Sequence, residues 1–187
     1  INELNLIYSK QFGFRKKYST NHALLSIVEK IRKNLDDKVF TCGIFVDLEK
    51  AFDTVNHSIL IDKLNHYGIR GAANKWIFSS YLSNRKQHVK LNSAKSNEEK
   101  VTCGVPQGSI LGPLLFTIYI NDMHKALNNS TVYHFADDTN LLCSSKDQTN
   151  IYKIYRSNKS SINNRHFPVF FSINLSGSRN NCRINSC

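Results

Sequence analysis

Residues 39–47 (VFTCGIFVD) restrict the fold more than any other stretch of the chain. They are rich in β-branched and aromatic side chains and carry one charge, Asp47, at the last position. This predicts a buried strand with a carboxylate at its end. Such a strand needs neighbours and a covering layer, and the flanking sequence supplies candidates for both. Residues 20–35 place Leu24, Ile27, Val28, Ile31 and Leu35 at helical spacing, with Ser19 or Thr20 as a cap. A second helix is predicted over 56–67, with Leu60, Ile61 and Leu64 on one face and Gly68 as its stop. A third covers 72–82 and buries Trp76 and Ile77. Residues 87–91 and 100–103 read as a strand pair across the polar loop NSAKSNEE. The Gly/Pro-rich segment GVPQGSILGPLLF then turns into an apolar helix reaching Met123. Residues 131–144 (TVYHFADDTNLLCS) read as a hairpin with Asp137 and Asp138 at its bend. This order points to an α+β fold, an antiparallel sheet backed by helices.

From Gln148 onward the pattern changes: Asn and Ser dominate and no sustained period is visible, so no regular structure is expected there. This segment carries six Lys or Arg and no acidic residue, more than half of the net charge of +11. The first 147 residues carry only +5, so charge argues weakly for a nucleic-acid partner. No run of 18 apolar residues exists, which argues against a membrane span. The start at Ile1, without a signal peptide, suggests a piece of a longer product. Five cysteines without a CxxC pair argue against a disulfide framework or a zinc site. Cys42, Cys103 and Cys143 read as core thiols. His57, His66 and His134 show no metal-ligand spacing and read as structural.

The chemistry-bearing residues are the carboxylates. If the strand ending in Asp47 and the hairpin holding Asp137 and Asp138 are neighbours in one sheet, three carboxylates converge at one edge. Crowded carboxylates repel and need protons or cations between them. An all-oxygen ligand set favours Mg²⁺ or Mn²⁺ over zinc. Two such ions, roughly 3.5–4 Å apart, activate an attacking oxygen and stabilise the leaving oxygen in phosphoryl transfer. Taken singly, Asp-Asp at a bend is ordinary turn chemistry and a strand-end Asp an ordinary cap.

VDLEKAFDTVNH at 46–57, GVPQGSILGPLLF at 104–116 and FADD at 135–138 occur in that order. Together they resemble the A, B and C motifs of reverse transcriptases, in wording closest to non-LTR (LINE-type) retrotransposons. QFGFRKKYSTNHAL at 11–24 resembles the fingers-to-palm segment of the same enzymes. The resemblance covers residues 10–147 and implies a right-hand polymerase palm with part of the fingers. It implies Asp47 and Asp137 as main ligands of two Mg²⁺ ions (Mn²⁺ as a substitute), Asp138 in support, and the backbone carbonyl of Leu48 completing the set. Phe52 would pack under the incoming sugar and exclude a 2′-hydroxyl; as a Phe it is otherwise a core residue. Pro106, Gln107 and Gly108 would lie against the nascent base pair, in what is also an ordinary loop before a helix. Arg15, Lys16 and Lys17 would contact template or primer backbone, or form a solvated face.

The implied division is 1–38 as fingers remnant and fingers-to-palm helix, 39–147 as palm, and 148–187 as a basic tail, disordered or frameshifted. The expected function is RNA-directed DNA polymerase, with RNA template, DNA primer and deoxynucleoside triphosphates as partners and no membrane. Copying at a chromosomal target implies an intracellular protein with access to the nucleus. The alternative is a catalytically inactive remnant that at most binds nucleic acid. An unrelated metal-dependent phosphotransferase would leave Phe52 and the 106–108 loop unexplained.

Overall fold

The computed structural model describes residues 6–127, 129–163 and 169–176. In chain order the elements begin with α1 Thr20–Asp36, β1 Phe40–Leu48, α2 His57–His66 and α3 Gly71–Trp76. Helix α3 continues as a π-helical segment, Ile77–Leu82. Four two-residue strands follow: β2 Lys86–Gln87, β3 Lys90–Leu91, β4 Ala94–Lys95 and β5 Glu99–Lys100. The chain then forms α4 Gly112–Ile120, a 3-10 turn Met123–Ala126, β6 Ser130–Phe135, β7 Asp138–Ser145, α5 Gln148–Asn163 and β8 Val169–Ser176. Phe52–Tyr119 form one compact unit, and the described residues on either side of it form the other.

The discontinuous unit is built on a four-stranded antiparallel sheet in the order β6-β7-β1-β8. Strand β1 is interior, which explains its apolar run: Ile44, Val46 and Leu48 are all buried. Helix α1 covers the face that carries Thr41, Gly43 and Phe45. Its Ala23, Ile27 and Ile31 pack against Phe12, Tyr133 and Leu142. At the end of α1 the buried Asn34 donates to Thr41 Oγ1 at 2.8 Å and to Ser144 Oγ at 2.7 Å, tying the helix to both central strands. Helix α5 covers the opposite face with buried Ile151, Ile154, Tyr155, Asn158 and Ile162. Asn158 Nδ2 donates to Ser130 Oγ at 2.6 Å, which fixes the helix against β6.

In the continuous unit, Asn56 caps α2 by accepting from the backbone N–H groups of Ser58 and Ile59 at 3.0 and 3.2 Å. Leu60 and Leu64 of α2 are buried. Gly68, at φ 85°, ends the helix in the left-handed region that glycine adopts without penalty. Helix α4 is apolar apart from Thr117, and Leu115, Phe116, Ile118 and Tyr119 are all buried. Among the described residues no helix is long and apolar enough to cross a membrane.

Several expectations need correction. Residues 148–163 are helical and 169–176 form a strand, where no regular structure was expected. The stripe Ile151, Ile154, Tyr155, Asn158, Ile162 is amphipathic, but its polar member and the Asn/Ser-rich outer face mask the period. Residues 164–168 and 177–187 lie outside the described residues. Trp76 is 53% exposed instead of buried. The switch to π-helix at Ile77 spaces the inward residues five apart, Ile77 and Leu82, and leaves Trp76 outside, stacked on Tyr81. The strand pair at 87–103 is two short ladders, β2 with β5 and β3 with β4. Cys103 is exposed, whereas Cys42 and Cys143 are buried thiols facing each other in register. The packing face of α1 is rotated, so that Leu24, Val28 and Leu35 stay exposed. Ser19 sits at the N-cap but bonds His22 Nδ1 at 2.8 Å and no backbone N–H.

Candidate active site

The sheet register decides where the carboxylates lie. Strands β1 and β7 pair antiparallel, with Val46 opposite Thr139. Continuing that register by one residue sets Asp47 opposite Asp138, on the face shared with Phe45 and Asn140. Asp137 sits in the two-residue turn between β6 and β7, because Phe135 pairs with Asp138. Asp47 and Asp138 are exposed and Asp137 half-buried. The Asp138 carboxyl is pushed above the usual carboxylate range, first by burial and then by the charges of Asp137 and Asp47. Asp138 therefore feels the charge of the other two. The three carboxylates are not drawn into a ready cage, since no three His, Cys, Asp or Glu side chains among the described residues are grouped to hold an ion. An all-oxygen, mutually repelling donor set still fits a hard divalent cation, whose charge relieves the repulsion. A cavity of about 500 Å³ opens beside them, lined by Ala23, Leu24 and Ile27 of α1 and by Phe45, Asp47 and Asp138.

The turn bearing Asp137 is held from beneath by residues 10–13. His134 N–H donates to the Lys10 carbonyl at 2.9 Å and Phe12 N–H to the His134 carbonyl at 2.8 Å. Gln11 forms a parallel bridge with His134. Gly13 then passes so close that a Cβ there would lie 2.0 Å from the Ala136 nitrogen. Ala136 itself has φ 57°, a left-handed conformation that an L-residue adopts at a cost. The strap thus presses on the one strained residue of the turn. Sequence reasoning missed Gly13 and Gln11 as site residues. The available signal was an isolated Gly within an apolar segment, a mark of close backbone approach.

Inside the continuous unit, the segment after Asp47 meets the loop 104–108. Gly104 N–H donates to the Val55 carbonyl and Val105 N–H to the Phe52 carbonyl, each at 2.8 Å. Gly104 has φ 83°, and a Cβ there would fall 2.7 Å from the Asp53 carbonyl oxygen. His57 Nε2 lies 2.8 Å from the Gly104 carbonyl, in keeping with a structural histidine. Gln107, exposed, donates from Nε2 to Asp53 Oδ1 at 2.9 Å. Gly108 is exposed at φ 75° and Pro106 is half-buried. Phe52 stacks on Phe116 with ring centroids 4.6 Å apart. Ser109 accepts from Gly112 N–H at 3.1 Å and so caps α4, with Pro113 in the first turn.

The basic cluster divides. Arg15 spends its guanidinium on the Gln11 carbonyl at 3.1 Å and lies over the Tyr18 ring. Lys16 and Lys17 are exposed.

Residues 1–171 match the family described as reverse transcriptase (RNA-dependent DNA polymerase). The match runs past residue 147, where the motif resemblance had ended. The chain is 39% identical over 132 residues to the probable RNA-directed DNA polymerase from transposon X-element of Drosophila melanogaster. That alignment covers 68% of the chain and 14% of the relative. Over 141 residues it is 33% identical to the probable RNA-directed DNA polymerase from transposon BS of the same organism, covering 72% of the chain and 14% of the relative. The RNA-directed DNA polymerase from mobile element jockey, also of Drosophila melanogaster, is 32% identical over 143 residues, 73% of the chain and 15% of that protein. The chain thus spans a small fraction of the length of the curated relatives it matches.

Proposed function

Because the chain belongs to the reverse transcriptase (RNA-dependent DNA polymerase) family, we propose that it forms the palm and part of the fingers of a non-LTR retrotransposon polymerase. In this reading residues 1–38 contribute to the fingers and 39–147 to the palm. The enzyme extends a DNA 3′-end on an RNA template with deoxynucleoside triphosphates. The observation that supports the reading is the β1–β7 register, which continued by one residue sets Asp47 opposite Asp138, the chain neighbour of Asp137.

Asp47 and Asp137 are the principal holders of Mg²⁺, or of Mn²⁺ in its place, with the Leu48 carbonyl as a further ligand and Asp138 in support. The bound ions supply Lewis acidity to the primer 3′-hydroxyl and neutralise the triphosphate. Asp47 is fixed by an interior strand. Asp137 follows Ala136, which Gly13 approaches too closely for any side chain at position 13. Phe52, braced by Phe116, is the residue that tests the sugar. Gln107, anchored on Asp53, faces the base pair. Of the basic cluster, Lys16 and Lys17 are the members that touch nucleic-acid backbone, whereas Arg15 organises its own loop.

Primer extension on an RNA template tests this. The 187-residue chain should incorporate deoxynucleotides with Mg²⁺ and lose the signal in Asp47→Asn and Asp137→Asn. Salt-sensitive template binding without any extension would instead identify an inactive remnant.

A further inference from the structure

The four two-residue strands between 86 and 100 form one protruding ribbon in the continuous unit, and every residue from Lys86 to Lys100 is exposed. Its pairing is unusual in charge. Lys86 stands directly opposite Lys100, and Lys90 directly opposite Lys95. Like charges across a ladder repel, so each pair works against the ribbon that contains it. Backbone and side-chain bonds between Val89 and Ser96, at 2.9 Å each, join the two ladders. Between them a single residue, His88, opposes two, Asn97 and Glu98, which makes a bulge.

The bulge keeps both lysine pairs on one face. Glu98 reaches Lys86 at 3.3 Å and Lys95 at 3.8 Å, so one carboxylate touches a member of each pair. Four lysines and one glutamate leave that face strongly positive. The other face carries Val89 and Leu91, 72% and 73% exposed. The lysine face is complementary in charge to an external polyanion.

Resting on the polymerase reading, we infer that the lysine face of this ribbon is a docking surface for the sugar–phosphate backbone of the template–primer duplex. Lys86 and Lys90 are four residues apart, about 13 Å along a strand. A duplex presents one phosphate per strand about every 3.4 Å of its axis, so the face spans about four nucleotides. Recognition is by charge and insensitive to sequence, because lysines that neutralise phosphates position a duplex without reading it.

The test follows binding of the chain to a fluorescein-labelled DNA primer annealed to an RNA template, by anisotropy, over a series of KCl concentrations. The variant replaces Lys86, Lys90, Lys95 and Lys100 with Gln. The slope of log K against log salt should flatten by about 0.9 for each phosphate left without its lysine, up to about 3.6 for all four. Between 50 and 200 mM salt the wild type would then lose up to about 150-fold more affinity than the variant. Glu98→Gln, which releases Lys86 and Lys95, should tighten binding and steepen the slope. As a control of equal charge, Lys33, Lys75, Lys125 and Lys146 are replaced with Gln. An unchanged slope in the ribbon variant, or an equal change in the control, overturns the ribbon proposal and leaves the polymerase reading standing. A wild type that binds no template–primer overturns both. A ribbon that engages an acidic protein surface instead would give the unchanged slope.

Discussion

Lowering the pH should weaken this fold through His134. The ring is 1% exposed, beneath the turn that carries Asp137. Its Nδ1 lies 2.9 Å from Thr139 Oγ1, and that hydroxyl donates onward to the Asp137 carbonyl at 3.4 Å. The hydroxyl hydrogen is committed, so Nδ1 must carry the proton and donate. Nε2 is buried without a hydrogen-bond partner among the described residues, and protonating it would place an unmatched charge in the core. Burial, and then the charge of His124, pulls the His134 pKa from 6.5 down to about 4. The unfolded chain therefore binds this proton at higher pH than the folded one. The contribution is at its full stabilising value above about 6.5, falls as the pH drops, and levels off near 4. Linkage across that window gives a loss of about 2.5 kcal/mol between pH 7.5 and 4.5. Urea unfolding at the two pH values, on the wild type and on His134→Gln, isolates the effect because the other titrating groups are shared. Equal pH dependence in the two proteins would refute the assignment of a neutral, unmatched imidazole.

Gly13→Ala should move the 136–137 turn by more than 1 Å, because a Cβ there sits 2.0 Å from the Ala136 nitrogen. A displacement of that size costs about 100-fold in primer-extension rate, and a folded variant with an unchanged rate would contradict it. Phe52→Ala should admit ribonucleotides, read by comparing ribo- and deoxynucleotide incorporation on one template; unaltered sugar discrimination would remove Phe52 from the site. Ile154→Ala, at a position 7% exposed on α5, should destabilise by about 2 to 5 kcal/mol in urea. No loss would mean that α5 does not dock on the sheet.

What the sequence made legible was whatever depends on local periodicity. The run 39–47 is an interior strand because its side chains are apolar on both faces. Asp137 falls in a bend because FADD interrupts two alternating segments. Asn56 begins α2 because its side chain can satisfy two N–H groups at once. The less legible features depend on partners far along the chain. Gly13 must be glycine because residue 136 happens to pass there. Trp76 is exposed because of a local widening of the helix that periodicity at 3.6 residues does not anticipate. In α5 a buried asparagine stands where the apolar pattern calls for Leu or Ile, and its partner, Ser130, is on strand β6.

The placement of β8 has a consequence for which strand forms the edge of the sheet. Strand β1 is hydrogen-bonded along both sides, to β7 and to β8, from Thr41 to Val46. A product ending at Asp147 would lack β8 and leave one whole flank of this nine-residue strand without backbone partners. Open, apolar flanks of that length recruit strands from other molecules. With β8 in place β1 becomes interior, and among the described residues the open flank on that side of the sheet is the outer one of β8.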